Sequence, residues 1–188
     1  MAVSVSNLAQ GPGTLYGGDF GTTEPAETSG ALASAPGAGW TDVGGTMDGA
    51  NLNIAQEFSE LAVDQIVDVP GRRLTKRDMS LSTNLAEITL TNMTLALNGG
   101  TVSTPSSGVS KYAPDAASSA TQPSYKALIL DAFAPAQVRR RIIMRRVLNT
   151  SGVEFAYKKD EQTVLTVSWN LHYVSDAVTP FVILDETS

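Results

Sequence analysis

The 188-residue chain contains no cysteine and a single histidine, His172. Without cysteine it has no disulfide framework, no thiolate metal site and no thiol nucleophile. A zinc site needs several histidine or cysteine ligands, so one histidine excludes the common zinc centres. These absences fit a protein that is assembled in a reducing cytoplasm and performs no metal chemistry.

No other pattern in the chain supports catalysis or cofactor binding. His172 alternates with Ser168 and Asn170 on the polar side of a strand pattern, so a solvated or hydrogen-bonded histidine is a better interpretation than a Ser-His-Asp triad. No Gly-Lys-Ser/Thr sequence is present for a phosphate-binding loop. We therefore predict a protein that is not an enzyme and needs no cofactor or metal.

Long apolar runs are also missing. The N-terminus has neither a basic n-region nor an apolar h-region, and nowhere do about 18 apolar residues follow one another. We therefore expect neither a signal peptide nor a membrane-spanning segment. The hydrophobic content of 42% is nevertheless sufficient for one sizeable core.

Positive charge is absent from the first third of the chain. No lysine or arginine precedes Arg72, whereas acidic residues occur from Asp19 to Asp68, and the net charge is −6. The acidic and basic parts can pair between copies of the chain or within one copy. The sequence leaves both interpretations open.

Composition divides the chain in two. Residues 1–39 are rich in small and polar residues and have few large apolar side chains, so they cannot pack a core of their own. They predict an extended N-terminal arm that is ordered mainly where it meets a neighbour. Residues 40–188 carry strand patterns and predict one β domain, in which the Ser- and Pro-rich residues 101–124 form a surface excursion.

Period-two alternation predicts a mainly β fold. In Asn51–Ser59 the large apolar side chains fall on one side, and in Val164–Tyr173 they do so again. Between Asn51–Ser59 and the return strand Arg73–Ser82, residues 60–71 predict a projecting loop or an extended hairpin. Further strands are predicted at Tyr125–Ala132, Arg139–Leu148, Val153–Lys158 and Phe181–Leu184.

Leu85–Leu97 suits either a strand or a helix. The capping-box spacing from Asn84 to Glu87 and the Gly99-Gly100 pair favour a helix between them. The threonines of the segment favour a strand, because β-branched residues pack well in sheets. We expect a helix.

The run Arg139–Arg146 is the most basic part of the chain. Contact with phosphates of nucleic acid is one interpretation. The acidic pI of about 4.7, the lack of interleaved aromatic residues and the division of the arginines between two strand faces weaken it. We expect these arginines to form salt bridges with carboxylates of a neighbouring copy.

An ordered set of segments resembles the major tail tube protein of long-tailed, siphophage-like bacteriophages. In chain order, these segments are Gly39–Gly49 with the strand Asn51–Ser59, Asp64-Gln65, Asn84–Glu87, Arg139–Arg146, Phe155–Thr166 and Pro180–Ile183. The specificity lies in the set, since no single segment is a strict signature. Together they span most of the chain from Trp40 onward.

This resemblance implies a β-sandwich or split barrel with one flanking α-helix, an extended N-terminal arm and long loops. It also implies a structural virion protein whose copies close into hexameric rings and stack into the tail tube, the conduit for ejection of double-stranded DNA into the host cell. The implied partners are the tape measure, tail tip and terminator proteins, with assembly in the host cytoplasm. Because residues 101–124 would crowd a tight sheath if they face outward, we expect a non-contractile tail.

Alternation and the resemblance together select the candidate site residues. The lumen-facing candidates are Asn51, Asn53, Glu57, Lys76, Asp78 and Ser80, among which Lys76 needs a neutralising partner. The candidates for contacts between subunits are Trp40, Asp64, Gln65, Arg72, Arg139 and Arg141. Two other functions stay open: a ring-forming tail terminator or head-tail joining protein, and a monomeric β-sandwich binding or adhesion module, which would need an exposed aromatic platform.

Overall fold

The computed structural model describes residues 4–116, 118, 120 and 122–187. Within them the strands are β1 (Thr14–Asp19), β2 (Thr41–Asp42), β3 (Thr46–Leu61), β4 (Gly71–Leu85), β5 (Thr101–Ser106), β6 (Val109–Ala113), β7 (Lys126–Phe133), β8 (Arg139–Asn149), β9 (Leu165–Leu171) and β10 (Phe181–Asp185). The helices are α1 (Ser29–Leu32) and α2 (Leu90–Ala96). None of the described helices has the length and apolar character needed to span a membrane.

Eight strands form one antiparallel sheet in the order β2-β1-β7-β8-β9-β4-β3, and β10 pairs with β8 beside this path. β5 and β6 form a separate two-stranded sheet. The large sheet and α2 enclose one core, to which β1, β4, β7, β8 and β9 all contribute. The predicted mainly β sandwich with a flanking helix is confirmed.

β9 supplies the centre of this core. Its alternate side chains Leu165, Val167, Trp169 and Leu171 are buried, and Trp169 is fully enclosed. The indole Nε1 of Trp169 donates to the backbone oxygen of Leu95 in α2 at 3.5 Å. The predicted division of this strand into an apolar and a polar side is therefore correct.

The predicted helix is present but shorter than expected. It begins after Thr89, whose hydroxyl accepts a hydrogen bond from the Asn92 backbone N–H at 3.1 Å. The capping box from Asn84 to Glu87 is wrong, because β4 continues through Asn84, which pairs with Thr166 of β9. The Glu87 carboxylate instead accepts from the backbone N–H of Gly45 at 3.0 Å.

The arm prediction is wrong for Thr14–Asp19. This segment is β1, paired with β2 on one side and β7 on the other, and its Leu15 is fully buried. Strand pairing and close packing order it, although it has few large side chains. A Cβ on Gly17 would lie 2.8 Å from Cδ2 of Leu95, so only glycine lets α2 pack so closely here.

The structure corrects the prediction for Val153–Lys158 and adds detail to the prediction for residues 101–124. The strand prediction for Val153–Lys158 is wrong, because this segment pairs with no other strand among the described residues. The surface excursion 101–124 contains the β5–β6 hairpin, and every residue of β5 is exposed. Its residues 117, 119 and 121 lie outside the described part of the chain.

Candidate functional site

β3 and β4 form a hairpin that projects beyond the sheet. β3 has 16 residues, and its pairing with β4 extends from Thr46 to Leu61. β9 pairs with β4 only over Ser80–Leu85, so the outer half of the hairpin has no third strand beside it. At about 3.3 Å per residue, β3 is roughly 50 Å long. An extended hairpin therefore lies where the sequence predicts one.

The six lumen-facing candidates lie together on one side of this hairpin. Asn53 pairs with Ser80 and Glu57 pairs with Lys76, which places them on the same side as Asn51 and Asp78. A bulge after Glu57 leaves Thr75 as an extra residue in β4, and its hydroxyl donates to the Glu57 backbone oxygen at 3.1 Å. The bulge lies beyond the six candidates and places Leu74 opposite Phe58, on the other side of the hairpin.

The polar side of the hairpin continues across β9. Ser80 pairs with Asn170 and Ser82 pairs with Ser168, so hydroxyl and amide groups of three strands form one surface. We name this surface the polar face; it consists of Asn51, Asn53, Glu57, Lys76, Asp78, Ser80, Ser82, Asn84, Thr166, Ser168 and Asn170. The sequence shows the polar side of β9, but it does not show that β9 lies beside β4. That pairing is what extends the candidate site.

The polar face contains one cation, Lys76, and Arg73 lies on the same side of the hairpin, nearer its end and outside the polar face. The ammonium of Lys76 forms an ion pair with Asp78 and lies 3.7 Å from a carboxylate oxygen of Glu57. The hydrogen bond to Asp78 and the charges of both carboxylates raise the pKa of Lys76 above its ordinary value. Two carboxylates thus neutralise the one lysine of the face, which is the partner that the prediction required.

The outer edge of β3 is open. β3 is the last strand of the sheet, so within the described residues its outer backbone N–H and C=O groups face no further strand. A long open edge is a template for pairing with another chain, and monomeric proteins usually shorten or cover such edges. Here the edge is 16 residues long and lies beside the polar face.

The candidates for contacts between subunits lie in different places. Asp64 and Gln65 are exposed in the loop that joins β3 to β4. Arg72 forms an exposed ion pair with Glu60 of the opposite strand at 2.7 Å. Trp40 is half-buried, and its Nε1 donates to the Thr23 backbone oxygen at 3.0 Å, which anchors it within its own chain.

The prediction that Arg141 contacts another subunit is wrong. Its side chain is 1% exposed and donates two hydrogen bonds to the Asp131 carboxylate, each at 2.6 Å. The same guanidinium donates to the backbone oxygens of Ala31 and Ser34 at 3.0 and 2.8 Å. Arg141 therefore holds α1 against the sheet of its own chain.

The other arginines of β8 also differ from the prediction. Arg140 pairs with Asp185 and Arg145 with Glu24, both at 2.6 Å and both within the chain. The expected salt bridges to a neighbouring copy are therefore wrong for these residues. Arg139 remains exposed, with its guanidinium 5.4 Å from the centroid of the Phe133 ring.

These pairs bear on the two interpretations of the uneven charge distribution. Glu24 lies in the acidic N-terminal part and meets Arg145 of the basic part, and Asp19 meets Lys126 in the same way at 2.7 Å. Pairing within one copy therefore accounts for part of the asymmetry.

No reactive group stands out in the described structure. His172 is half-buried with its ring 5.3 Å from that of Tyr125, and burial, followed by the charge of Arg146, lowers its pKa. Arg146 itself stacks on Tyr125, 3.9 Å from the ring centroid. Among the described residues no cluster of three or more His, Asp or Glu side chains is placed to hold a metal ion.

The sequence was compared with known proteins. A model of the family described as phage tail tube protein matches residues 5–186, which include every strand of the large sheet. No curated protein sequence matches the chain. The chain therefore belongs to the phage tail tube protein family, a structural component of the virion tail.

Proposed function

We propose that copies of this chain close into hexameric rings and that the rings stack into the tail tube through which DNA passes into the host cell. The observation that carries this proposal is the open 16-residue edge of β3 beside the polar face. A strand supplied by the next copy would pair with this edge and satisfy its backbone groups. Repetition of the contact around a ring would leave no copy with an open edge.

The size of such a ring agrees with passage of duplex DNA. Four adjoining strands, β8, β9, β4 and β3, lie at this end of the sheet. Six copies would contribute about 24 strands, and at ~4.8 Å spacing and ~40° tilt these enclose a circle roughly 45 to 50 Å across at the backbone. Side chains reduce this width but leave room for a double helix.

The chemistry of the polar face suits a conduit. Each lysine or arginine contact with a phosphate adds affinity, so a channel that must release its cargo needs few free cations. On the polar face amides and hydroxyls predominate, and Lys76 is engaged by Asp78 and Glu57. DNA would therefore slide along this surface without being held.

The same proposal includes the neighbours of the tube. Tape measure, tail tip and terminator proteins would contact it, and assembly would take place in the host cytoplasm. The exposed β5–β6 hairpin supports a tail without a tight contractile sheath.

A binding module is disfavoured, because Trp169 is fully buried and Trp40 is anchored within the chain. Neither tryptophan offers an exposed platform.

Negative-stain electron microscopy over a concentration series of the purified protein tests the proposal. We expect hollow filaments or stacked rings, with sizing chromatography showing the corresponding loss of monomer. Single rings that never stack would favour a terminator or joining protein. A persistent monomer at the highest concentration would contradict unaided self-assembly and favour the binding module.

A further inference from the structure

The end of the β3–β4 hairpin is both apolar and anionic. Residues 62–70, which we name the tip, include the exposed side chains of Val63, Ile66, Val67 and Val69. Asp64 and Asp68 lie between them, also exposed and without an ion pair in the part of the chain that the structure describes. Exposed apolar side chains at this density indicate a surface that becomes covered.

A second surface on the same hairpin is apolar and cationic. Ile54, Phe58 and Leu74 lie on the side opposite the polar face and are 40%, 54% and 39% exposed. Arg77 is on this side too, opposite Gln56, and has no ion pair among the described residues. We name these four residues, Ile54, Phe58, Leu74 and Arg77, the shaft face.

The tip and the shaft face complement each other. Both offer exposed aliphatic or aromatic side chains, and the charges beside them are of opposite sign. The tip of a copy cannot reach its own shaft face, because β3 and β4 remain paired as far as Leu61 and Gly71. A contact between a tip and a shaft face therefore requires two copies of the chain.

From this complementarity we propose that the tip of one copy docks on the shaft face of the next. This inference rests on the proposed function, because it assigns one contact within the assembled tube. The contact is head-to-tail: every copy that donates its tip still offers its own shaft face. Such heterologous contacts propagate until a ring closes or a filament ends, which suits a polymer better than a two-fold dimer.

Charge-reversal variants test the contact by complementation. D64R/D68R alone and R77E alone should each raise the concentration needed for assembly at least tenfold, because like charges then meet at every contact. An equimolar mixture should assemble near the wild-type concentration, since each variant tip finds an oppositely charged shaft face on the other variant. R73E is the matched control, because Arg73 is also exposed but lies on the side of the polar face. A mixture that assembles no better than its components overturns the proposal.

Cross-linking locates the contact independently of charge. The chain has no cysteine, so single substitutions provide unique thiols. A mixture of V67C and F58C treated with a short bismaleimide should yield a covalent dimer, whereas V67C mixed with V102C, exposed on β5, should not. If the wild-type chain forms tubes but the mixture of V67C and F58C gives no covalent dimer, this contact is overturned and the tube assignment stays intact. Failure of the wild-type chain to assemble at all, with no dimer formed, would overturn both.

Discussion

The side chain of Arg141 connects α1 to the sheet. Its guanidinium satisfies Asp131 and two backbone oxygens near α1, and almost none of it contacts water. Replacement by alanine leaves a largely buried carboxylate without a cation. We expect R141A to lower the free energy of unfolding by about 3–5 kcal/mol, as measured by urea denaturation.

Arg140 provides the comparison for this prediction. It also pairs with a carboxylate, that of Asp185, but both side chains are partly solvated, at 33% and 41% exposure. Water screens such pairs, so R140A should lower the free energy of unfolding by no more than about 1 kcal/mol. Equal losses for R140A and R141A would show that burial of Arg141 does not determine its contribution.

The only histidine makes a pH prediction possible. Burial and the charge of Arg146 lower the pKa of His172 from 6.5 in the folded chain, so the unfolded chain binds the proton more readily. Stability is therefore highest above the unfolded pKa and falls as pH decreases through it. Between about pH 8 and about pH 6, the range where an ordinary histidine titrates, urea denaturation should show declining stability for the wild type and a flatter profile for H172Q. Parallel stability profiles for the wild type and H172Q would show that His172 does not cause the pH dependence.

The sequence predicts on which side of a strand a side chain lies wherever alternation alone determines that side. The six candidates of the polar face share one side of the hairpin because side chains alternate along a strand and the register of β3 with β4 is regular from Asn51 to Glu57. Arg141 was not predictable, because its burial depends on Asp131 and on carbonyl groups more than a hundred residues away. Long-range partners leave no local pattern.

At the scale of elements, the buried amide of Asn92 ties the start of α2 to the segments beside it. Asn92 is 4% exposed, and its Nδ2 donates to the backbone oxygens of Val43 at 2.8 Å and Glu87 at 2.7 Å. In N92A both oxygens lose their donor, so we expect a loss of about 2–4 kcal/mol in the free energy of unfolding. T91A, exposed on the same helix, should change stability by less than about 0.5 kcal/mol. Alanine has a higher helix propensity than either residue, so a similar loss in both variants would show that the two hydrogen bonds of the Asn92 amide do not explain the result.

The elements themselves were predictable to different degrees. β4, β7, β8 and β10 begin and end close to their predicted positions, because long alternating or apolar stretches leave little choice, whereas β3 begins at Thr46, before its predicted start at Asn51. The sequence does not predict β1, since Gly17 and Gly18 contribute no side chain and pairing with β2 and β7 orders this strand. Val153–Lys158 has a strand-like pattern but lacks a neighbouring strand to pair with.

At the scale of the whole molecule, the features that a monomer does not need lie together. The open edge of β3, the exposed tip and shaft face, and the polar face all belong to the β3–β4 hairpin or to the strand beside it. Elsewhere in the described chain, Arg140, Arg141 and Arg145 form ion pairs within the same copy. If the proposed tube forms, assembly therefore depends mainly on the β3–β4 hairpin, and the stability of each copy depends mainly on the rest of the sheet.

The charge of the polar face gives the last prediction. Asn53 and Ser80 face each other near its centre, and N53K/S80K would place two free cations per copy there, or about twelve in a ring of six. Because each phosphate contact adds salt-dependent affinity, tubes of this variant should retain double-stranded DNA at low salt and release it as salt rises, whereas wild-type tubes should retain none. Co-sedimentation of labelled DNA with assembled tubes measures this, and S103K/V109K, on the exposed β5–β6 hairpin, controls for charge outside the channel. Equal retention by both variants would show that the polar face does not line the channel.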